Sequence, residues 1–267
     1  MEPIVILGTG MAAFGAGHAL TEQKIPFVAF DSADVPGGHT RTVAYPNGFI
    51  FDDGPHISFT RDERVQQVFS DAVDGQYENI QFKVDNYWHG VRMKHPVQMN
   101  LHGLPTELIV DVVKDFVASH QRPDDLPIRT YADWLEAAFG TTFAKTFPSV
   151  YGLKYHTTTP DNMTTEWLGP RMYRPDLGEL LRGAMETVTA DVHYVTHFRY
   201  PSYGGFYSYL RRFWEANPPM LDHAIKEIDP RARTVSFVDG SVAGYRELIS
   251  SVPLPELIPL IAGGGPA

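Results

Sequence analysis

The chain has 267 residues, 43% of them hydrophobic, with no cysteine and a formal net charge of −10. That length and apolar content can bury a sizeable core in one large or two closely joined domains, and they exclude a disordered chain. The lack of cysteine excludes disulfides, thiolate metal sites and a redox dithiol, and it fits a reducing compartment. The acidic balance, with no run of Lys or Arg, speaks against a nucleic-acid backbone or an anionic membrane as partner. No apolar stretch reaches the roughly 18 residues of a membrane span, and no basic segment leading into an apolar one marks a secretory signal. The expectation is a cytoplasmic protein.

The apolar run Ile4–Leu7 reads as a buried strand. It enters the turn Gly8-Thr-Gly-Met-Ala-Ala13 and then a helix-compatible stretch ending near Gln23. A strand that turns into a helix through glycines lets a dinucleotide pyrophosphate lie against backbone N–H groups at the helix N-terminus. Gly8 and Gly10 occupy the first two fingerprint positions, Met11 and Ala12 the intervening ones, and Ala13 the third, where a residue has only to let helix and strand approach. Ile25–Phe30 reads as the second strand, ending in Asp31, 23 residues after Gly8. An acid near that spacing meets an adenosine ribose hydroxyl. Ser32-Ala33 offers no arginine for a 2′-phosphate, which favours FAD over NADP.

A turn-rich loop, Val35 to Thr42, follows, with the pair Gly37-Gly38. It reads either as a simple turn or as backbone that approaches a ligand. Thr42–Tyr45 and Phe49–Phe51 read as a hairpin closed by Pro46-Asn-Gly48, with Asn47 and Gly48 supplying positive φ angles, and it delivers Asp52-Asp-Gly-Pro-His56. Asp52 and Asp53 are neighbours that a strand points to opposite faces, a poor acid/base pair. A second hairpin is expected across Trp88-His-Gly90, between residues 82 and 97. Helices are expected over Pro105–Ser119 and Tyr131–Phe139. Lys154 to Arg174 carries Tyr, His, Trp, Met and Arg among threonines and prolines, as a ligand-lining connection would. Gly204 to Trp214 reads as a glycine-opened helix, Ala224–Ile228 and Thr234–Val238 as a meander, and Leu248–Val252 as a buried strand that could rejoin the first sheet. The tail from Ala262 has little to pack.

These segments together resemble the flavoprotein superfamily of amine oxidases, protoporphyrinogen oxidases and UDP-galactopyranose mutases. The glycine turn with Asp31 is similar to its FAD-binding start, where Glu is more usual at the acid position. Gly37, Gly38, His39, Arg41 and Thr42 look like the second glycine pair beside the cofactor. Phe51-Asp-Asp-Gly-Pro-His-Ile-Ser-Phe59 is similar to the mutase segment beside the isoalloxazine ring, which implies flavin contacts from Gly54, Pro55 and His56. His95–Leu101, Tyr131-Ala-Asp-Trp134 and Met163–Arg171 favour the mutase branch, as do Arg199-Tyr-Pro201 with Gly204-Gly205 and the Asp239–Ser250 pattern.

The resemblance implies an α/β fold: a discontinuous Rossmann-like FAD-binding domain from 1–60 and 220–262, an inserted mixed helical and β substrate domain from 61–219, and a disordered tail at 263–267. It implies FAD as cofactor, no metal, cofactor contacts from Gly8, Gly10, Met11, Ala12, Ala13, Asp31, Ser32, Gly37, Gly38, His39, Arg41, Thr42, Gly54, Pro55 and His56, and a flavin-side catalytic role for His56. Trp167 and Arg171 would bind substrate, Arg171 through the diphosphate of a nucleotide sugar. Each has a plainer reading: His56 as a turn residue, Trp167 as core on one face of a short helix with Arg171, and Arg171 as a surface charge. In mutase chemistry reduced flavin attacks the anomeric carbon and the sugar ring reopens and recloses without net redox change. The alternatives are an amine or porphyrinogen-type oxidase, or a non-catalytic dinucleotide-binding subunit. Family members continue past the element matching Leu248–Ile261, so a homo-oligomer or a C-terminal complement is the expected macromolecular partner.

Overall fold

The computed structural model describes residues 2–121, 127–168, 172–186 and 195–264. The first elements are β1 (Ile4–Leu7), α1 (Met11–Glu22), β2 (Phe27–Phe30), β3 (Thr42–Ala44), β4 (Ile50–Asp52), α2 (Glu63–Ala72) and β5 (Tyr77–Gln81). Next come β6 (Asp85–Trp88), β7 (Val91–Lys94), α3 (Thr106–Ser119), α4 (Tyr131–Phe139), α5 (Thr141–Thr146), α6 (Pro148–His156) and α7 (Leu177–Met185). The chain continues with β8 (His197–Pro201), α8 (Ser208–Ala216), β9 (Ile225–Asp229), β10 (Thr234–Phe237), β11 (Val242–Gly244), β12 (Glu247–Ser250) and α9 (Leu254–Leu257). No described helix is long and apolar enough to cross a membrane.

Two compact units divide the chain, Met1–Gln81 with His197–Ala267, and Phe82–Thr196. The sequence boundaries at 60/61 and 219/220 therefore fall inside the first unit. That unit reaches further because β5 pairs antiparallel with β8, Tyr77 opposite Pro201 through to Gln81 opposite His197. Val68 and Phe69 of α2 also pack into the core that holds Tyr209, Leu210 and Trp214 of α8.

In the first unit β1 is the centre of a parallel sheet in the order β12-β1-β2, with Ile4 opposite both Glu247 and Phe27. A strand paired on both sides and covered on both faces must be apolar throughout, and all four β1 residues are buried. Their alternation then builds two cores. Ile4 and Ile6 face Ala13, Phe14 and Leu20 of α1 and Leu210 and Trp214 of α8. Val5 and Leu7 face Val235 and Phe237 of β10, with Ile228 and Tyr245. The antiparallel meander β11-β10-β9 thus covers one face of the sheet and two helices the other. The tail is tied down further than its composition suggests, since Ala262 N–H donates to the Ile228 carbonyl at 2.7 Å. Residues 265–267 lie outside the described residues.

The β3–β4 hairpin forms where expected, Val43 opposite Phe51, but of the Asn-Gly pair Gly48 alone has positive φ, at 85°. Val43, Tyr45, Phe49 and Phe51 are exposed, while Thr42 and Asp52 hydrogen-bond back into the unit.

In the second unit β6 and β7 form the other hairpin, with His89 and Gly90 at φ 42° and 91° in its turn. Helices α3, α4, α5 and α7 gather a core of Val112, Phe116, Leu135, Phe139, Phe143 and Leu180. Several segments that carry the mutase resemblance are joints of this core. The Tyr131-Ala-Asp-Trp134 run is the first turn of α4, where Thr130 and Asp133 cap each other reciprocally. The segment after His95 seats Met99 against Gly183 of α7 so closely that an added Cβ there would lie 2.0 Å from the Met99 carbonyl oxygen.

Candidate functional site

The glycine turn sits at the end of β1, where Gly8 has φ 98° and its N–H donates to the Phe30 carbonyl at 2.8 Å. A Cβ on Gly8 would lie 2.2 Å from Ser251 Oγ, so this glycine is required by the fold itself. Gly10 differs. It is the N-cap of the 12-residue helix α1 at φ −70°, ψ −171°, which any residue adopts, and an added Cβ would meet nothing closer than Gly37 O at 3.8 Å. That spacing is ordinary van der Waals contact with the Gly37-Gly38 backbone, so the fold would tolerate an alanine at this position. No side chain caps α1 and no acid stands in its first turn, so the amides of Met11, Ala12 and Ala13 present their partial positive charge without a capping side chain.

The second glycine pair closes on the first. Gly37 has φ 120° and Gly38 φ 53°, and a Cβ on Gly38 would come within 3.1 Å of Gly10 Cα. A Cβ on Gly37 would strike the Tyr207 ring at 2.8 Å. Thr40 closes this turn by donating to the Gly37 carbonyl at 2.6 Å. At the end of β2, Asp31 Oδ2 accepts from the Thr9 hydroxyl at 2.5 Å and Oδ1 from the Ala33 N–H at 2.9 Å. Gly8, Gly10, Asp31, Gly37 and Gly38 are thus brought to one end of the parallel sheet, with Ser32 exposed beside Asp31 and His39 exposed beside Gly38.

The next segment is fixed by Asp52. Its Oδ1 accepts from the Thr42 hydroxyl at 2.6 Å and the Phe206 N–H at 3.0 Å, and its Oδ2 from the Tyr200 hydroxyl at 2.5 Å. Gly205 lets this happen: with φ 72°, a Cβ there would sit 2.3 Å from Thr42 Oγ1. Burial, followed by the bond to Asp52, pushes the Tyr200 hydroxyl well above the ordinary tyrosine range. Burial, partly offset by the charge of Arg199, raises Tyr209 to about 12, and its hydroxyl has no partner among the described residues. Asp53, pointing the other way, pairs with Arg41 at 3.1 Å. The two neighbouring aspartates therefore do separate structural work, and sequence reasoning had no signal for the part played by Asp52, two of whose three partners lie some 150 residues away. Beyond them Gly54 has φ 96°, Pro55 is exposed, and His56 is half-buried with Nδ1 2.9 Å from the Gly54 carbonyl and its ring 5.4 Å from that of Phe206. Phe206 is core and Tyr207 half-buried, whereas Tyr203 is exposed.

In the second unit Trp167 lies in a turn rather than on a helix, 39% exposed, its indole N–H donating to the Thr164 carbonyl at 2.7 Å. It meets Tyr131 and His156 edge-on at 5.1 and 5.2 Å. Tyr155 packs against His156 and stacks on Tyr151, and both tyrosines are exposed. This row of rings was not readable from sequence, because α6 shows no clear period that separates a core face from an exposed one. Arg171 lies outside the described residues.

Comparison with known proteins agrees with this geometry. Residues 6–72 match the model of the NAD(P)-binding Rossmann-like domain. Over 99% of its length the chain superposes on a reduced UDP-galactopyranose mutase, with a TM-score of 0.90 and 28% sequence identity. A Pyrococcus furiosus protein (TM-score 0.59, 15% identity, 98% of this chain) and an engineered putrescine oxidase (0.62, 13%, 100%) share the fold. The chain has the fold of the superfamily of FAD-dependent amine oxidases and UDP-galactopyranose mutases. It spans 58%, 62% and 61% of those three chains' own lengths.

Proposed function

We propose that the chain binds FAD, seating its ADP half on the Gly8–Ala13 turn, Asp31 and Gly37-Gly38, as part of a flavoenzyme that acts on a nucleotide sugar. The observation that carries this reading is Gly10, a glycine at an uncapped helix N-terminus whose missing side chain the fold does not need. A pyrophosphate does need that space, because its oxygens must reach the helix amides. Asp31 completes the seat with a carboxylate already oriented by Thr9 and Ala33, as an acceptor for ribose hydroxyls.

Bound reduced flavin would supply the electron pair for chemistry at the sugar's anomeric carbon, and the chain's own residues would bind and orient. Nδ1–H of His56 donates to the Gly54 carbonyl, which orients the ring and leaves Nε2 as the nitrogen not engaged by that turn. Support for the nucleotide sugar comes from the mutase likeness at 28% identity. It comes also from the exposed rings of Tyr151, Tyr155 and Trp167, since aromatic faces stack on nucleobases. Arg171, beside this row in sequence, would take the diphosphate with its two-pronged guanidinium. At 13% identity the oxidase likeness speaks to fold alone.

The test is equilibrium titration of the purified chain with FAD, and separately with UDP-galactopyranose followed by saturation-transfer NMR. FAD binding without any sugar-nucleotide contact would retain the cofactor and remove the substrate.

A further inference from the structure

Thr9 lies between the two glycines of the turn and is fully buried, 0% exposed. Its hydroxyl donates to Asp31 Oδ2 at 2.5 Å and accepts the Gly37 N–H at 2.9 Å, and its carbonyl accepts the Trp214 indole N–H at 3.0 Å. The hydroxyl's two partners are 22 and 28 residues away in the chain. With Ala33 bound to the other Asp31 oxygen at 2.9 Å, the plane of the carboxylate is set while each oxygen keeps a lone pair. Gly37 is the first member of the pair whose second member rests on Gly10.

We propose that Thr9 is a positioning residue for dinucleotide binding, one buried hydroxyl that fixes both the carboxylate for the adenosine ribose and the Gly37-Gly38 backbone beside the pyrophosphate turn. The inference rests on the cofactor reading above. A ligand with both a ribose and a diphosphate then meets two preset contacts instead of ordering them on binding. Serine keeps both hydrogen bonds; valine keeps the shape of threonine and loses both.

ADP is the probe, titrated calorimetrically into wild type, T9S, T9V, D31A and T9V/D31A, with thermal unfolding recorded for each. T9S should bind within about threefold of wild type, and T9V more weakly by on the order of tenfold, the worth of one charge-assisted hydrogen bond. The double variant should lose less than the product of the two single losses, because the carboxylate that Thr9 orients is gone. A purely structural role would lower the melting temperature and multiply in full. If T9V is unfolded at the titration temperature, T9C takes its place, since a thiol is a far weaker donor. ADP binding by T9V equal to wild type, or losses that multiply in full, overturns the role of Thr9 and leaves the cofactor reading standing. A wild-type chain that binds no ADP overturns both.

Discussion

Replacing the two turn glycines separately should divide fold from ligand. Gly8→Ala puts a side chain at φ 98° and a Cβ 2.2 Å from Ser251 Oγ, and that serine is held in place, its N–H and hydroxyl both donating to the Leu7 carbonyl at 2.8 and 3.0 Å. Strain at such a φ costs roughly 1–3 kcal/mol and overpacking about as much again, so a stability loss of about 3 kcal/mol is expected. Gly10→Ala meets no such obstacle, its Cβ coming no nearer than 3.8 Å to other atoms. Alanine is the poorer N-cap by up to about 1 kcal/mol, and the lower entropy of its unfolded chain returns roughly 0.4–1 kcal/mol, so the net change should stay within about 1 kcal/mol. On the cofactor reading the added methyl, set between the α1 amides and the Gly37-Gly38 backbone, crowds the pyrophosphate, and each charge-assisted hydrogen bond lost weakens binding by roughly 1.5–3 kcal/mol, at least tenfold; the bulkier Gly10→Val should abolish binding. Urea unfolding and ADP calorimetry on the variants measure the two effects. ADP binding by Gly10→Val at wild-type strength, or a stability loss in Gly10→Ala as large as in Gly8→Ala, would refute the reasoning.

Asp52→Ala removes three hydrogen bonds to one carboxylate and should lower stability by about 3 kcal/mol; an unchanged urea midpoint would show that the Thr42, Tyr200 and Phe206 bonds do not hold the hairpin. Asp115 accepts from the Thr142 hydroxyl and N–H at 2.5 and 2.8 Å, which holds its pKa below the usual aspartate value. A depressed native pKa contributes stability that is present above the unfolded value, about 3.9, and is lost as pH falls below it. The difference in urea midpoint between wild type and Asp115→Asn should therefore be larger near pH 6 than near about pH 3, and a gap constant with pH would contradict it. Arg171→Lys should weaken UDP binding by on the order of tenfold while leaving ADP binding unchanged, since lysine keeps the charge and loses the fork; unaltered UDP calorimetry would remove the diphosphate role.

The first strand, helix and second strand were legible because the apolar run, the glycines and the acid at residue 31 each follow from a local rule. The return of β12 to the first sheet was legible too, although it lies at the sheet's edge with its residues exposed or half-buried rather than buried, and α4 was bounded by a capping residue at one end and Gly140 at the other. What stayed hidden depends on distant partners. β5 is Tyr-Glu-Asn-Ile-Gln, with no buried face to impose alternation, and its mate β8 lies well over 100 residues away. α2, by contrast, carries a local signal, with Val65, Val68, Phe69 and Ala72 at helical spacing behind the capping Asp62; only the partner of that stripe, α8, is distant. Thr9 occupies a position that the fingerprint leaves free, and nothing near it in the chain says that its hydroxyl meets residues 31 and 37.

The central claim is that one end of the first sheet seats the adenosine half of FAD, and a single competition experiment tests it most directly. FAD is titrated into the wild-type chain with flavin fluorescence as readout, and the complex is then challenged with ADP and with FMN. The account predicts that FAD binds and that ADP displaces it while FMN, which lacks the adenosine, does not. Displacement by FMN and not by ADP, or no binding of FAD at all, would contradict it.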